Sequence, residues 1–238
     1  MFPAALIWRI YNMALTQIYN IATVEEALKC AELGVDNIGS LVGGDESFTS
    51  MCTVEQINAI YAAVGKSVIK VLIPYVDDPK RVLELCELTH PDVCHLTLPD
   101  FYTNADFYRT IHQRIPGIIL MQAIPMSGPE ALDAAKKYSK WSDWLILDSV
   151  KPNSTEIGAA GFTHDWNVSK AIVEKVHKPV ILAGGLGPDN VRAAIETVKP
   201  FGVDSLTRTS YPDPKGGPGR KNFELVKKFV EEAKAARP

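Results

Sequence analysis

Two glycines interrupt an apolar run late in the chain, in the stretch PVILAGGLGPDN. Because Gly184 and Gly185 carry no Cβ, their backbone N–H groups can approach an anion, and the helix-start signal that follows turns its positive end to the same place. The next apolar run, GVDSLT, leads into Thr207, Arg208 and Thr209, whose side chains can donate hydrogen bonds to phosphate oxygens. These residues predict a two-part phosphate site. The alternative is that the glycine pair only forms a tight turn.

Eight short apolar runs, each followed by a stretch with helical spacing, would position these groups. The interval between runs is roughly 25–30 residues, which is typical of an α/β fold of the single-domain (β/α)8 TIM-barrel type. In such a barrel the loops after strands seven and eight often hold a phosphate. A doubly wound open sheet is the rival, but its glycine-rich turn usually follows the first strand, whereas the pair here follows the seventh. The runs are TQIYNI, VDNIGSLV, SVIKVLIPY, DVCHLTL, GIILMQAIP, DWLILDS, PVILAG and GVDSLT.

Composition excludes several classes of protein. The 238 residues are 46% hydrophobic, enough for a substantial core, and the net charge of −3 argues against a nucleic-acid or anionic-membrane partner. Four cysteines without zinc-ligand spacing argue against a disulfide framework or a metal site and favour a cytoplasmic protein. We expect one barrel domain over residues 13–238, with residues 1–12 as an N-terminal extension too short to span a membrane.

The second half of the chain resembles the phosphoribosylanthranilate isomerase family, a ribulose-phosphate-binding barrel. The resemblance is carried by the stretches LDS, GAAGFTHDW, PVILAGGLGPDNV, GVDS and PGRK, whereas the first half matches only in rhythm. It implies that a phosphate lies between Gly184–Gly185 and the loop after strand eight, with Gly161 in the sixth loop beside it. It also implies that Asp148, at the end of strand six, is the general acid. A carboxyl at a barrel mouth can protonate a ring oxygen if its pKa is raised.

The family's general base is missing from this sequence. The cysteine that ends the family's first strand, in the motif K-I-C-G, is replaced by Tyr19 in QIYN. A phenol with an ordinary pKa near ~10 is a poor base at neutral pH, although it can donate a hydrogen bond or a proton. His95, in the fourth strand where the family has glutamine, is a second candidate for the proton transfer. The alternative is a hydrogen-bonded core histidine.

The end of the site that would hold the anthranilate ring also differs from the family. The motif S-P-R falls on residues 48–50, so that Ser50 takes the place of an arginine, and the lysine usual after strand five reads Gln122. Asn20 replaces the glycine of the first-strand motif. With Thr97, these side chains predict a polar, hydroxyl-binding pocket, with Asn20 and Gln122 as substrate-binding residues. We therefore expect a smaller, more polar substrate than phosphoribosylanthranilate.

Other reactive side chains have simpler explanations. Lys70 invites a Schiff-base role, but a structural lysine is the better interpretation. Asp45 and Glu46 could bind a metal or sugar hydroxyl and are more typical of a solvated loop. His164 either covers the site when the sixth loop closes or packs at a helix start.

Three functions remain open on the sequence alone. The first is an isomerase of a phosphorylated sugar or sugar amine, with Asp148, Tyr19 and His95 as catalytic residues. The second is a lyase, aldolase or epimerase of a sugar phosphate on the same barrel, because catalytic groups come from separate strand ends. The third is a non-catalytic sugar-phosphate-binding protein. No cofactor is implied, the expected partner is a small phosphorylated molecule, and the chain would be a monomer or homodimer.

Overall fold

The computed structural model describes residues 13–44, 50–97, 104–150, 161–214 and 217–237. Within these ranges eight parallel strands form a closed barrel, because β1 pairs with both β2 and β8. The predicted TIM barrel is confirmed, and each of the eight apolar runs overlaps one strand. The barrel strands are β1 Leu15–Ile18, β2 Asn37–Val42, β3 Ile69–Pro74, β4 Val93–Leu96, β5 Ile119–Met126, β6 Trp144–Ser149, β7 Val180–Leu182 and β8 Gly202–Ser205.

Helices follow the strands and cover the outside of the barrel. In the described ranges one α-helix follows each of the eight barrel strands, as the helical spacing after each apolar run predicts. The capping box of Thr53 and Gln56 starts α2, and the Asn104 side chain caps α4. The helices are α1 Val24–Glu32, α2 Val54–Val64, α3 Pro79–Thr89, α4 Ala105–Arg114, α5 Ala131–Tyr138, α6 Trp166–Lys175, α7 Val191–Val198 and α8 Phe223–Ala235.

The apolar core has two parts because alternate strand residues point to opposite faces. The larger part lies between strands and helices and includes Phe229. The smaller part fills the barrel interior, where the ring of Trp144 packs edge-on against Phe201 at 5.2 Å between ring centres. Trp144 is therefore part of the apolar packing of the barrel interior. The interior is closed below the site by apolar side chains.

A short hairpin extends the chain between β8 and α8. Its strands, Ser210–Pro212 and Pro218–Lys221, pair antiparallel. The Arg220 guanidinium forms an ion pair with the buried carboxylate of Glu26 in α1 at 2.6 Å, which ties the hairpin to the barrel. None of the helices in the described ranges is long and apolar enough to cross a membrane.

Candidate active site

A cavity opens at the carboxyl ends of β1, β6, β7 and β8. The backbone of two loops forms one wall of this cavity. Carboxyl groups line another wall. Its lining residues are Tyr19, Asp148, Gly161, Gly184, Gly185, Leu186, Asp204, Ser205, Leu206, Thr207 and Arg208.

The glycine pair forms the backbone wall. Gly184 and Gly185 have φ of 81° and 61°, a region that favours glycine. A Cβ on Gly185 would overlap the backbone of Phe162 in the sixth loop, so the pair also allows two loops to pack closely. The N–H groups of Gly184, Gly185, Thr207 and Arg208 bond to no acceptor in the described part of the chain. Such unpaired donors on two facing loops make an anion-binding concavity.

The side chains of the three residues 207–209, which follow β8, lie in different environments. Thr207 lines the cavity, but Arg208 donates to the Gly185 carbonyl at 3.2 Å and to Asp189 at 2.6 Å, so its guanidinium braces the glycine loop. Thr209 is fully buried and its hydroxyl donates to the Leu206 carbonyl at 3.2 Å. This hydroxyl faces its own turn, and Thr209 is not among the residues that line the cavity.

Asp148 lies at the end of β6 with its carboxyl in the cavity. Its Oδ1 accepts a hydrogen bond from the Ser149 N–H at 2.8 Å. Burial raises the pKa of this carboxyl to about 7, against the opposing effect of that hydrogen bond. Asp148 can therefore carry a proton near neutral pH, as a general acid requires.

Tyr19 and His95 are brought together, as their shared assignment to proton transfer requires. The Tyr19 hydroxyl and His95 Nδ1 lie 2.8 Å apart, and both side chains are buried. Burial lowers the pKa of His95 to about 3 and raises the pKa of Tyr19 well above 10. Both groups are neutral at pH 7, so the pair can supply or accept a hydrogen bond but holds no charged base.

The Tyr19 ring reaches His95 by crossing β2 at Gly39. A Cβ at residue 39 would overlap the Tyr19 ring, so Gly39→Ala should displace the ring and cost about 1–3 kcal/mol of stability, as overpacking usually does. Urea unfolding measures the loss. In a Tyr19→Ala background the same substitution should cost little, and an equal cost in both backgrounds would show that Gly39 does not serve the ring.

Asn20 and Gln122 do not form the polar pocket expected from the sequence. Asn20 has φ of 66° and is buried; its side chain accepts from the Ser50 hydroxyl at 2.8 Å and donates to the Pro218 carbonyl at 3.5 Å. It therefore ties the first loop to the hairpin. Gln122 faces α4, where it accepts from the Tyr108 hydroxyl at 2.7 Å, so the structure does not bring it to the cavity.

The sixth loop is fixed beside the acid by a histidine. The Ser149 hydroxyl donates to the Phe162 carbonyl at 2.8 Å, so His164 Nδ1, 3.1 Å away, must be the donor to Ser149. His164 Nε2 then accepts from the Ser169 hydroxyl at 2.8 Å. Burial accordingly lowers the pKa of His164 to about 4. Its role here is to anchor the loop.

Lys70 has the structural role that the sequence favoured. Its ammonium group lies 3.4 Å from the carboxylate of Asp92 and 5.9 Å from the centre of the Tyr61 ring. Asp45, Glu46 and residues 48–49 lie outside the described residues. Among the described residues, no group of three or more His, Cys, Asp or Glu side chains could hold a metal ion.

Asp204, near the end of β8, is a titratable cavity residue that the sequence motifs did not indicate. Its carboxyl is buried, and its Oδ1 accepts from Gln17 Nε2 at 3.2 Å. The available signal was the stretch GVDS, in which a lone carboxylate interrupts an apolar strand.

Comparisons with known proteins agree with this architecture. A family model described as PRAI, N-(5'-phosphoribosyl)anthranilate (PRA) isomerase, matches residues 105–232. A protein of Methanocella arvoryzae named N-(5'-phosphoribosyl)anthranilate isomerase is 32% identical over 94% of this chain and 100% of its own length. A second, from Methanosarcina mazei, is 31% identical over 92% and 93%. The crystal structure of phosphoribosyl anthranilate isomerase from Thermotoga maritima shares the fold, with a TM-score of 0.77 at 24% identity over 93% and 99% of the two chains.

These similarities extend through both halves of the chain, beyond the motifs of the second half. They give no support to the expectation of a different substrate, because each of these relatives carries the same enzyme name. The chain belongs to the phosphoribosylanthranilate isomerase family and is an isomerase of that type.

Proposed function

We propose that this chain isomerises phosphoribosylanthranilate, opening the ribose ring and converting the aminoaldose into an aminoketose. The observation that carries the proposal is that one cavity holds both a protonatable carboxyl, Asp148, and unpaired backbone donors of two loops. The identity of the substrate in this proposal is taken from the names of the relatives. A crystal structure of a phosphoribosyl anthranilate isomerase that shares the fold is a complex with reduced 1-(o-carboxyphenylamino)-1-deoxyribulose 5-phosphate, which is a phosphorylated aminoketose derivative.

The roles of the residues follow from their places in the cavity. The phosphate accepts hydrogen bonds from the backbone of Gly184, Gly185 and Thr207, beside Gly161, while Arg208 holds the glycine loop and adds positive charge. Phosphate anchoring positions the ribose ring so that its oxygen faces the acid.

Asp148 delivers the proton that opens the ring, and the neutral Tyr19–His95 pair holds a sugar hydroxyl. Tyr19 lines the cavity, and the bond to His95 fixes the direction of its hydroxyl. A hydrogen bond placed in this way orients the C2 substituents without transferring a proton.

The arrangement of these side chains does not support the expectation of a smaller, more polar substrate. Asn20 and Ser50 bond to each other, and Gln122 faces a helix, so these side chains do not form a common hydroxyl-binding surface. The proposal therefore follows the relatives on the identity of the substrate.

The test is turnover of freshly made phosphoribosylanthranilate, followed by the loss of anthranilate fluorescence. We expect kcat/KM within the usual enzymatic range, about 10⁴–10⁸ M⁻¹s⁻¹. Inorganic phosphate should compete with the substrate because it occupies the backbone donors. Absence of turnover above the rate of the protein-free solution would overturn the proposal, and a panel of pentose and hexose phosphates would then be screened for binding.

A further inference from the structure

We propose that Asp204 is the general base of this isomerase and removes the proton from C2 of the substrate. This inference rests on the proposed function, since it assigns a residue to the second half of the same reaction. The need for it arises at the end of β1, where Tyr19 stands at the position to which the family resemblance assigns a cysteine base.

The position of Asp204 fits a base that works beside Asp148. Both carboxyls line the same cavity, from β8 and β6, and their charges interact. Asp204 is only 4% exposed, so substrate binding would remove it from water almost completely. A carboxylate without a water shell is a stronger base than a hydrated one.

A row of amides inside the barrel holds Asp204 in place. Gln17 donates to Asp204 Oδ1 at 3.2 Å, and Asn37 donates to Gln17 at 3.2 Å. The three residues face one another in register across β8, β1 and β2. Asp204 Oδ2 has no hydrogen-bond partner among the described residues, so one oxygen is fixed and the other is available for the reaction.

The other candidates in the cavity are less suited to the step. His95 does not line the cavity, and its Nδ1 is already bonded to the Tyr19 hydroxyl. The Tyr19 phenol is buried beside two carboxyls, which opposes its ionisation. Of the described residues that line the cavity, Asp204 is the remaining group that can take a proton as an anion.

The charges around Asp204 couple it to the acid. Burial, and then the charge of Asp148, raise the pKa of Asp204, whereas the charge of Lys221 in the hairpin lowers this pKa. Tyr19 in the first loop faces Asp204 as a neutral phenol. When Asp148 holds its proton, that carboxyl no longer opposes the ionisation of Asp204. Burial is the larger cause and still raises the pKa of Asp204 in that state, so the two carboxyls share a single proton, and the reaction proceeds from the form in which Asp148 holds it and Asp204 is ionised.

The proton transfers balance within this pair. Asp148 protonates the ring oxygen as the C1–O bond breaks and the nitrogen electron pair forms a C1=N bond. The Asp204 carboxylate takes the C2 proton, the C2–H electron pair forms a C1=C2 bond, and the C1=N pair returns to nitrogen. The resulting enolamine becomes the ketone when its C2 hydroxyl proton passes to Asp148 and C1 receives the proton held by Asp204. Both carboxyls then have their starting states.

The experiment compares Asp204→Asn with Tyr19→Phe, using phosphoribosylanthranilate and its C2-deuterated form. Asparagine keeps an acceptor for Gln17, so the thermal midpoint should change little, and Asp204→Ser serves as a second variant if asparagine prevents folding. We expect Asp204→Asn to lower kcat by about 10²–10⁴-fold, the usual contribution of a general base, with KM within about threefold. Its C2 deuterium isotope effect should rise, and kcat/KM should lose its fall at low pH. Tyr19→Phe should lose less than about tenfold.

The matched control is Asp36→Asn. The Asp36 carboxylate accepts from the Thr16 hydroxyl and N–H at 2.8 Å at the opposite end of β1, so its loss should affect stability and leave kcat unchanged. Activity of Asp204→Asn within threefold of the unmodified protein, or a larger loss in Tyr19→Phe, would overturn the assignment of Asp204 alone. Failure of the unmodified protein to turn over the substrate would overturn both this assignment and the proposed function.

Discussion

Asp148→Asn should slow isomerisation strongly while leaving substrate binding intact. The amide keeps the size of the carboxyl and its oxygen can still accept from the Ser149 N–H, but it has no acidic proton to give to the ring oxygen. We expect kcat to fall by about 10³-fold or more, near the upper part of the range for a lost general acid, with KM nearly unchanged. Steady-state fluorescence assays with phosphoribosylanthranilate measure both constants. A variant that keeps a tenth of the activity would contradict the assignment of Asp148 as the acid.

The same substitution should stabilise the protein at alkaline pH. Burial raises the pKa of Asp148 from 3.8 to about 7, so the folded protein binds this proton more tightly than the unfolded chain does. The carboxyl therefore costs stability progressively as pH rises from about 4 through about 7, and the full cost remains above that window. Because the side chain is partly exposed, we expect about 1 kcal/mol, or a Tm higher by ~2–4 °C for Asp148→Asn at pH 8.

The gain should disappear toward pH 4, where the carboxyl is protonated in both states. Thermal unfolding of the two proteins at pH 4.5, 6 and 8 measures the trend. A variant that is less stable than the unmodified protein at pH 8 would show that the Asp148 carboxylate has a stabilising partner in the folded state.

The barrel could be predicted from the sequence because its signals are local. Each strand is a short apolar run, and the glycine pair lies directly after one of them, so strand order alone places it at the mouth. The φ values of Gly184 and Gly185 agree with the conformational freedom for which glycine is used at such a junction.

Which face of the sheet an individual polar side chain points to is harder to predict, because successive strand residues alternate between the two faces. Gln122 and Ala123 are neighbours, yet Gln122 bonds to Tyr108 in α4 while Ala123 belongs to the interior cluster. An error of one residue in the strand register therefore exchanges a site residue for a core residue. The Asp204 carboxyl was overlooked for a related reason, since the Gln17 amide that orients it is 187 residues away in the sequence.

Gly185→Ala should weaken binding of every phosphorylated ligand. Alanine at φ of 61° costs roughly 1–2 kcal/mol in backbone strain, and its Cβ would overlap the Phe162 backbone of the sixth loop. The loop must then move, and the unpaired N–H groups no longer converge on one anion. We expect KM to rise by at least about tenfold, corresponding to a loss of ~1.4 kcal/mol of binding free energy, with kcat changed much less than KM. Steady-state kinetics and competition by inorganic phosphate measure the effect.

The matched control for Gly185→Ala is Gly117→Ala. Gly117 also has a positive φ, 89°, but a Cβ there meets nothing within 4 Å, and the residue precedes β5 at the end of the barrel away from the cavity. Both variants bear the cost of a strained backbone, and Gly185→Ala should lose more stability because its Cβ also overlaps the Phe162 backbone. Only Gly185→Ala should raise KM, because residue 185 forms a wall of the cavity and residue 117 does not. An equal rise in KM in both variants would mean that binding follows global stability, and the glycine pair would then be a tight turn with no part in holding phosphate.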